Sequence, residues 1–200
     1  MDLNNTFLVI DTETGGLDPG KHSLLSVAGV IWGLETPPQT LFSFYVREYN
    51  LSIDPEALAV NNINLNEVVS KGLTPARACL EIQSKLVGFL NPNTTTFLPQ
   101  EPLTVAGHNV GFDIAFLKRL FRLGENNNYS KLFSHRSLDT ASVLKFLQLM
   151  GHIPSGKVNS DILFQYCGVE VPLEYRHTAL GDAVGTAASL DFLLKKFRLH

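Results

Sequence analysis

Residues 7–20 read Phe7-Leu8-Val9-Ile10-Asp11-Thr12-Glu13-Thr14-Gly15-Gly16-Leu17-Asp18-Pro19-Gly20, and the fold turns on this stretch. Phe7–Ile10 is an unbroken apolar run, the pattern of a central strand buried on both faces. Side chains two apart on a strand point the same way, so Asp11 and Glu13 project together where the strand ends. Two carboxylates side by side repel, and one stays protonated unless a cation compensates. The economical compensator is a divalent metal, which takes oxygen ligands. Gly15–Gly20 then closes the run as a turn, by its Gly, Asp and Pro chemistry.

Further along, Ser23–Trp32 and Leu41–Arg47 are predicted as two more strands joined by a loop holding Pro37 and Pro38, which gives an antiparallel meander. Asp54-Pro55-Glu56 and Thr74-Pro75 each open a helix with proline at its first position, the second running to about Leu90. Residues 91–102 read as a variable loop whose threonine run mimics a strand. Thr104–Ala106 is a short strand, followed by a helix over Ile114–Leu123. Ser137-Leu138 is a brief strand before a helix from Asp139 to about Met150, and Ser160 caps a helix through Tyr166. The last helix places Leu180, Ala183, Val184, Ala187, Leu190, Leu194 and Phe197 on one face. Strands alternating with helices after a meander predict an α/β domain with a mixed sheet.

The chain has 200 residues, enough for one domain with a sizeable core, and 44% hydrophobic residues, ordinary for a globular protein. Residues 1–200 are expected to form that one domain, with a core over about 7–197. A net charge of −3 gives no global basic field of the kind a tight duplex binder carries. An enzyme that holds a few phosphates through metals remains compatible with it. Cys79 and Cys167 lack metal-type spacing and read as buried, reduced thiols of a cytoplasmic protein. The polar start is no signal peptide, and no apolar run is long enough to span a membrane.

Three more residues complete a pattern. Asp113 lies in His108-Asn109-Val110-Gly111-Phe112-Asp113, at the start of a helix after the fourth strand. Asp182 lies one turn into the final helix, and His177 precedes it by five residues. Four carboxylates from three distant segments, each at the end of an element, meet only if the fold gathers them.

With these motifs in order, the chain resembles the DEDD-type 3′–5′ exonucleases of the histidine subclass, the group that includes the proofreading (epsilon) subunit of bacterial replicative polymerase, ribonuclease T and oligoribonuclease. Asp11-Thr12-Glu13-Thr14-Gly15, His108–Asp113 and His177-Thr178-Ala179-Leu180-Gly181-Asp182 match its three motifs, and the likeness runs from about Phe7 to Leu194. It implies a ribonuclease H-like fold, a mixed five-stranded sheet of antiparallel meander plus parallel strands flanked by helices. It implies two divalent cations, magnesium or manganese, on Asp11, Glu13, Asp113 and Asp182, with His177 as general base. It also implies release of 5′-mononucleotides from a single-stranded DNA or RNA 3′ end, in proofreading or end trimming, and it admits a polymerase partner. The chemistry is consistent with these residue types. Two metals ~4 Å apart serve both the attacking and the leaving oxygen of a phosphodiester, and an unperturbed histidine, titrating near ~6.5, suits a base at neutral pH.

Thr14, Gly15 and Gly16 are candidates to approach the terminal nucleotide, while a tight turn uses the same glycine property. Leu17 either wedges against the terminal base, as the family pattern implies, or packs in the core. His108, Asn109 and Phe112 are further substrate-binding candidates, against plainer roles in loop ordering and helix-face packing. Asp139 reads as a helix cap rather than a fifth ligand, and Asp161 as a helix start. His22, His135, His152 and His200 carry no motif and are placed at the surface. Lys118, Arg119 and Arg122 read as a solvated helix face. Two competing functions are a haloacid-dehalogenase-like phosphatase, whose pattern wants Asp at position 13 and another shortly after Asp182, and a nuclease-fold subunit serving mainly as a polymerase or replisome partner.

Overall fold

β1 (Thr6–Thr14) contains the apolar run and continues straight through both acids. A computed structural model describes residues 5–61, 63–91 and 98–198; the threonine run of the 91–102 loop and His200 lie outside them. β1 pairs antiparallel with β2 (Leu24–Gly33), which pairs antiparallel with β3 (Thr36–Tyr45). On its other side β1 pairs in parallel with β4 (Leu103–Gly107), and β4 pairs in parallel with β5 (Phe133–Asp139). The sheet order is therefore β3-β2-β1-β4-β5, a mixed five-stranded sheet as expected.

Alternation along β1 sends its side chains to two different cores. Leu8 and Ile10, with Val27 and Ile31 of β2, pack against Ile82 and Leu86 of α3 (Pro75–Leu90) and Phe116, Leu117 and Leu120 of α4 (Gly111–Leu123). Val9, with Ala28 and Val30, packs against Ala179, Ala183, Ala187 and Leu190 of α8 (Ala179–Phe197). The alanine stripe presents little bulk, so α8 can lie close on the sheet. Burying a large apolar side chain such as Phe116 contributes roughly 1.5–3 kcal/mol, and it is fully enclosed. A third cluster joins α6 (Thr140–Leu149), α7 (Ser160–Cys167) and α8 through Leu144, Leu163 and Leu193.

Several predicted boundaries move. Pro37 and Pro38 lie inside β3 rather than in a loop, which is tolerated because β3 is an edge strand and needs amide donors on one side only. β5 spans seven residues, because Ser137, Leu138 and Asp139 pair with Val105, Ala106 and Gly107 and the strand reaches back to Phe133. α4 begins at Gly111, ahead of Ile114. α7 is capped by Asn159, whose Oδ1 accepts from Ile162 N at 3.1 Å, and not by Ser160. Besides α1 (Pro55–Asn61), two short helices were not anticipated: α2 (Leu65–Lys71), capped by Asn64, and α5 (Tyr129–Leu132). Both cysteines are buried and free, and burial pushes the Cys79 thiol up to about 12. Among the described residues no helix is long and apolar enough to cross a membrane.

Candidate active site

The site forms where β1 outruns its parallel neighbour. Pairing of β1 with β4 stops at Val9↔Ala106, so Asp11 and Glu13 emerge past it. They sit opposite Ala28 and Ser26 of β2, on the α8 face of the sheet. Asp182, in the first turn of α8, comes to them from that face. Asp113, in the first turn of α4, comes from the other. Thr12 lies between the two acids in sequence and points to the α4 face, where its hydroxyl donates to Asp113 Oδ1 at 2.7 Å. The alternation of one strand thus presents acids to one helix and a hydroxyl to the other.

Burial and crowding show in the acidities. Asp11 is raised well above the usual carboxylate range by burial first, then by Asp113, Glu13 and Asp182, with Arg176 acting against them. Glu13 is pushed up to about 8 by burial and by Asp182 and Asp113. Burial lifts Asp113 to about 7 against the hydrogen bond from Thr12. Asp182 is raised by burial, while Arg176 and His177 pull it down. The four acids gathered by the fold are electrostatically one cluster.

Such a set fits a divalent cation in its chemistry, because all its donors are hard carboxylate oxygens that a cation would relieve of mutual repulsion. As placed, no three His, Cys, Asp or Glu side chains among the described residues are gathered tightly enough to enclose an ion. Two of the four acids are bonded elsewhere. Thr12 holds Asp113, and Arg176 Nη1 donates to Asp182 Oδ1.

His177 is exposed, with left-handed backbone (φ 57°), on the segment leading into α8. Its backbone N–H helps to hold the Asp182 carboxyl down. Thr178 caps α8, its hydroxyl accepting from Gly181 N at 3.1 Å. His177 and Glu13 line a cleft of about 630 Å³ with Ser26, Tyr45, Asn61 and Arg176.

The substrate-binding candidates divide. Leu17 is 84% exposed beyond the end of β1, so core packing does not explain it. Gly15 and Gly16 are buried. A Cβ on Gly15 would meet Ser52 O at 2.5 Å, and one on Gly16 would meet the His22 ring at 2.5 Å. The Thr14 hydroxyl donates to Gly16 O at 2.8 Å, and Asn61 Nδ2 donates to Thr14 O at 3.0 Å. His108 Nδ1 lies 3.0 Å from Thr140 Oγ1, and burial holds that imidazole below its ordinary value. Asn109 N donates to Asp139 Oδ1 at 2.7 Å, with left-handed backbone at Asn109 (φ 57°). Phe112 is half-buried, its ring 4.9 Å from that of Phe116. Asp139 is the cap it was expected to be, accepting from Ala141 N and Ser142 N, each at 3.2 Å.

Two expectations are corrected. His22 is buried rather than at the surface: it fills the hollow under Gly16, and Nδ1 accepts from Asp18 N at 3.1 Å. Arg119 is not on a solvated face. Its guanidinium grips Glu48 through two bonds, at 3.0 and 2.8 Å, and donates to Pro19 O at 3.1 Å and Gly20 O at 3.3 Å. Sequence reasoning also passed over Arg176, Thr12 and Asn61. Arg176, adjacent to His177, was open to notice as a cation beside an acidic motif, whereas nothing in the sequence marks Asn61.

Four acids thus lie around the end of a central strand of this mixed sheet, with an exposed histidine on the segment leading into α8. The Exonuclease family model (RNase_T) matches residues 8–190, and the chain belongs to that family. Over 122 residues it is 27% identical to the 3′-5′ DNA exonuclease Cap18 of Escherichia coli, covering 60% of this chain and 60% of that protein. Over 194 residues it is 31% identical to a DNA polymerase III subunit epsilon-like protein of Rhodobacter capsulatus, covering 94% of this chain and 24% of that protein. The zinc-ion-bound form of the E. coli ExoI–ssDNA complex matches with TM-score 0.75 at 20% identity, over 96% of this chain and 41% of that one. The chain thus spans less than two thirds of each of these relatives. Membership in an exonuclease family leaves the phosphatase reading without support.

Proposed function

We propose that this protein is a metal-dependent 3′–5′ exonuclease that releases 5′-mononucleotides one at a time from a single-stranded DNA or RNA 3′ end. The observation that carries the reading is the cluster itself: four carboxyls from three segments, all made weaker acids by burial, beside an exposed histidine on a cleft. Asp11, Glu13, Asp113 and Asp182 would hold the cations, two of magnesium or manganese. Such ions supply charge stabilisation for the phosphodiester and favour ionisation of the attacking water. His177 accepts the proton of that water as its oxygen bonds to phosphorus. The bond from phosphorus to the 3′-oxygen of the shortened strand breaks, and that oxygen is protonated from solvent. Leu17, projecting from the turn, meets the terminal base, and Phe112 serves as a second stacking face. Thr14, Gly15 and Gly16 shape the backbone there, and His108 and Asn109 order the second motif's loop. Work beside a polymerase accords with the epsilon-like relative, and a cytoplasmic location with the two free thiols.

The test is degradation of matched 3′-labelled and 5′-labelled DNA and RNA oligonucleotides, with and without Mg²⁺ or Mn²⁺. A 3′ label should leave as a mononucleotide from the first time point, while a 5′ label reports a ladder of shortened strands. Internal cuts, or mononucleotides taken from the 5′ end, would refute the reading. The DNA-to-RNA rate ratio assigns the substrate.

A further inference from the structure

Arg176 is the one charged group that touches both the acidic cluster and the scaffold outside it, among the described residues. Nη1 donates to Asp182 Oδ1. Nη2 donates to Asp161 Oδ1 at 2.6 Å and reaches Ser160 Oγ at 3.4 Å. The guanidinium also lies 4.9 Å from the centroid of the Phe164 ring. Asp161, Ser160 and Phe164 all belong to α7, whereas Asp182 belongs to α8. Arg176 therefore has one anchor shared with the cluster and a set of its own.

Resting on the metal reading above, we infer that Arg176 is a resident counter-cation, which competes with the divalent ion for Asp182 and yields it on loading while staying tethered to Asp161. An oxygen bonded to a guanidinium must exchange that partner to ligate an ion, and two cations on one carboxylate repel. A residue that only oriented Asp182 would need no second acid. Asp161 is 65% exposed on its side chain and outside the cluster, so it can keep the guanidinium when Asp182 turns inward. Arg176 also adjoins His177 in the chain, on the segment that leads into α8 and Asp182. Transfer of Asp182 from arginine to ion therefore alters the hold on the segment that carries the base. Arg176 is a positioning residue in this scheme, since it acts on Asp182 and His177 and not on the reacting atoms.

Calorimetric titration of Mn²⁺ into the purified full chain tests the inference without reference to turnover. Arg176→Met should bind Mn²⁺ more tightly than wild type, with Kd lower by about tenfold, the order expected for removing one nearby charge of like sign. Asp161→Asn commits the arginine to Asp182 and should raise Kd severalfold, and in the double variant that rise should vanish. Unchanged or weaker binding by Arg176→Met would overturn the inference, as would an Asp161→Asn effect that persists without Arg176. Should Arg176→Met fail to fold, the Asp161→Asn shift carries the test: raised Kd upholds the inference and unchanged Kd overturns it. Asp11→Ala separates the two levels. If wild type shows no Mn²⁺ binding that Asp11→Ala removes, the metal reading fails and takes the inference with it; if it does, the arginine variants speak to the inference alone.

Discussion

Glu48 and Asp113 are both sealed carboxylates, 3% and 4% exposed, and they are treated in opposite ways. Each Glu48 oxygen accepts two bonds: Oε1 from Leu24 N and Arg119 Nε, Oε2 from the Ser23 hydroxyl and Arg119 Nη2. A buried charge so matched is scaffold, and here it braces the Gly15–Gly20 turn through the Arg119 bonds to Pro19 and Gly20. Asp113 takes a side-chain bond from Thr12 while facing other acids. Its group of four has Arg176, and at Asp182 also His177, to oppose the repulsion. The contrast separates a carboxylate that folding has completed from carboxylates left incomplete, and perturbed acids in a cleft are where chemistry is expected.

The two regions should break differently. Asp11→Ala or Asp182→Ala is expected to leave the fold intact and to lower nuclease turnover by at least about 10³-fold, several kcal/mol of lost charge stabilisation. Full activity in either purified variant would remove the cluster from catalysis. His177→Ala should slow the single-turnover step by about 10² to 10⁴, the size of a general-base contribution; an unchanged rate would assign the base elsewhere. On the scaffold side, Arg119→Met leaves Glu48 buried without its cation and should cost about 3–5 kcal/mol of folding stability, read by chemical denaturation. A loss well under that range would show that water reaches Glu48.

How much of this was legible in the sequence follows the same division. The apolar run of residues 7–10 and the Asp11–Glu13 pair are local patterns, Asp113, His177 and Asp182 stood out through three motifs that resemble a known family, and the fold brings the four acids within electrostatic reach of one another. The Glu48–Arg119 pair spans 71 residues with no shared motif, so Arg119 read as one more basic residue on a helix. His22 reads as polar and is buried because Gly16 leaves room for its ring. Pro37 and Pro38 read as a loop because the position of β3 at the sheet edge is a tertiary fact. Arg176 lay beside a recognised motif, yet its partner Asp161 sits on α7, 15 residues away. Long-range pairing of charges is what local pattern does not carry.

The claim at the centre is that the cluster is incomplete without a divalent cation, and stability against pH tests it most directly. Glu13 at about 8 and Asp113 at about 7, with Asp11 and Asp182 also raised, lie above their unfolded values. For carboxyls shifted upward, stability is fully present below the ordinary carboxylate range and is lost as pH rises through the folded values. With chelator present, the melting temperature should therefore fall by several degrees between about pH 5 and pH 8.5. Mn²⁺ should restore it at the alkaline end and have little effect at pH 5, and Asp11→Asn should shrink both the fall and the rescue. A melting temperature that is flat or rising across that window, with no response to Mn²⁺ at pH 8.5, would contradict the account.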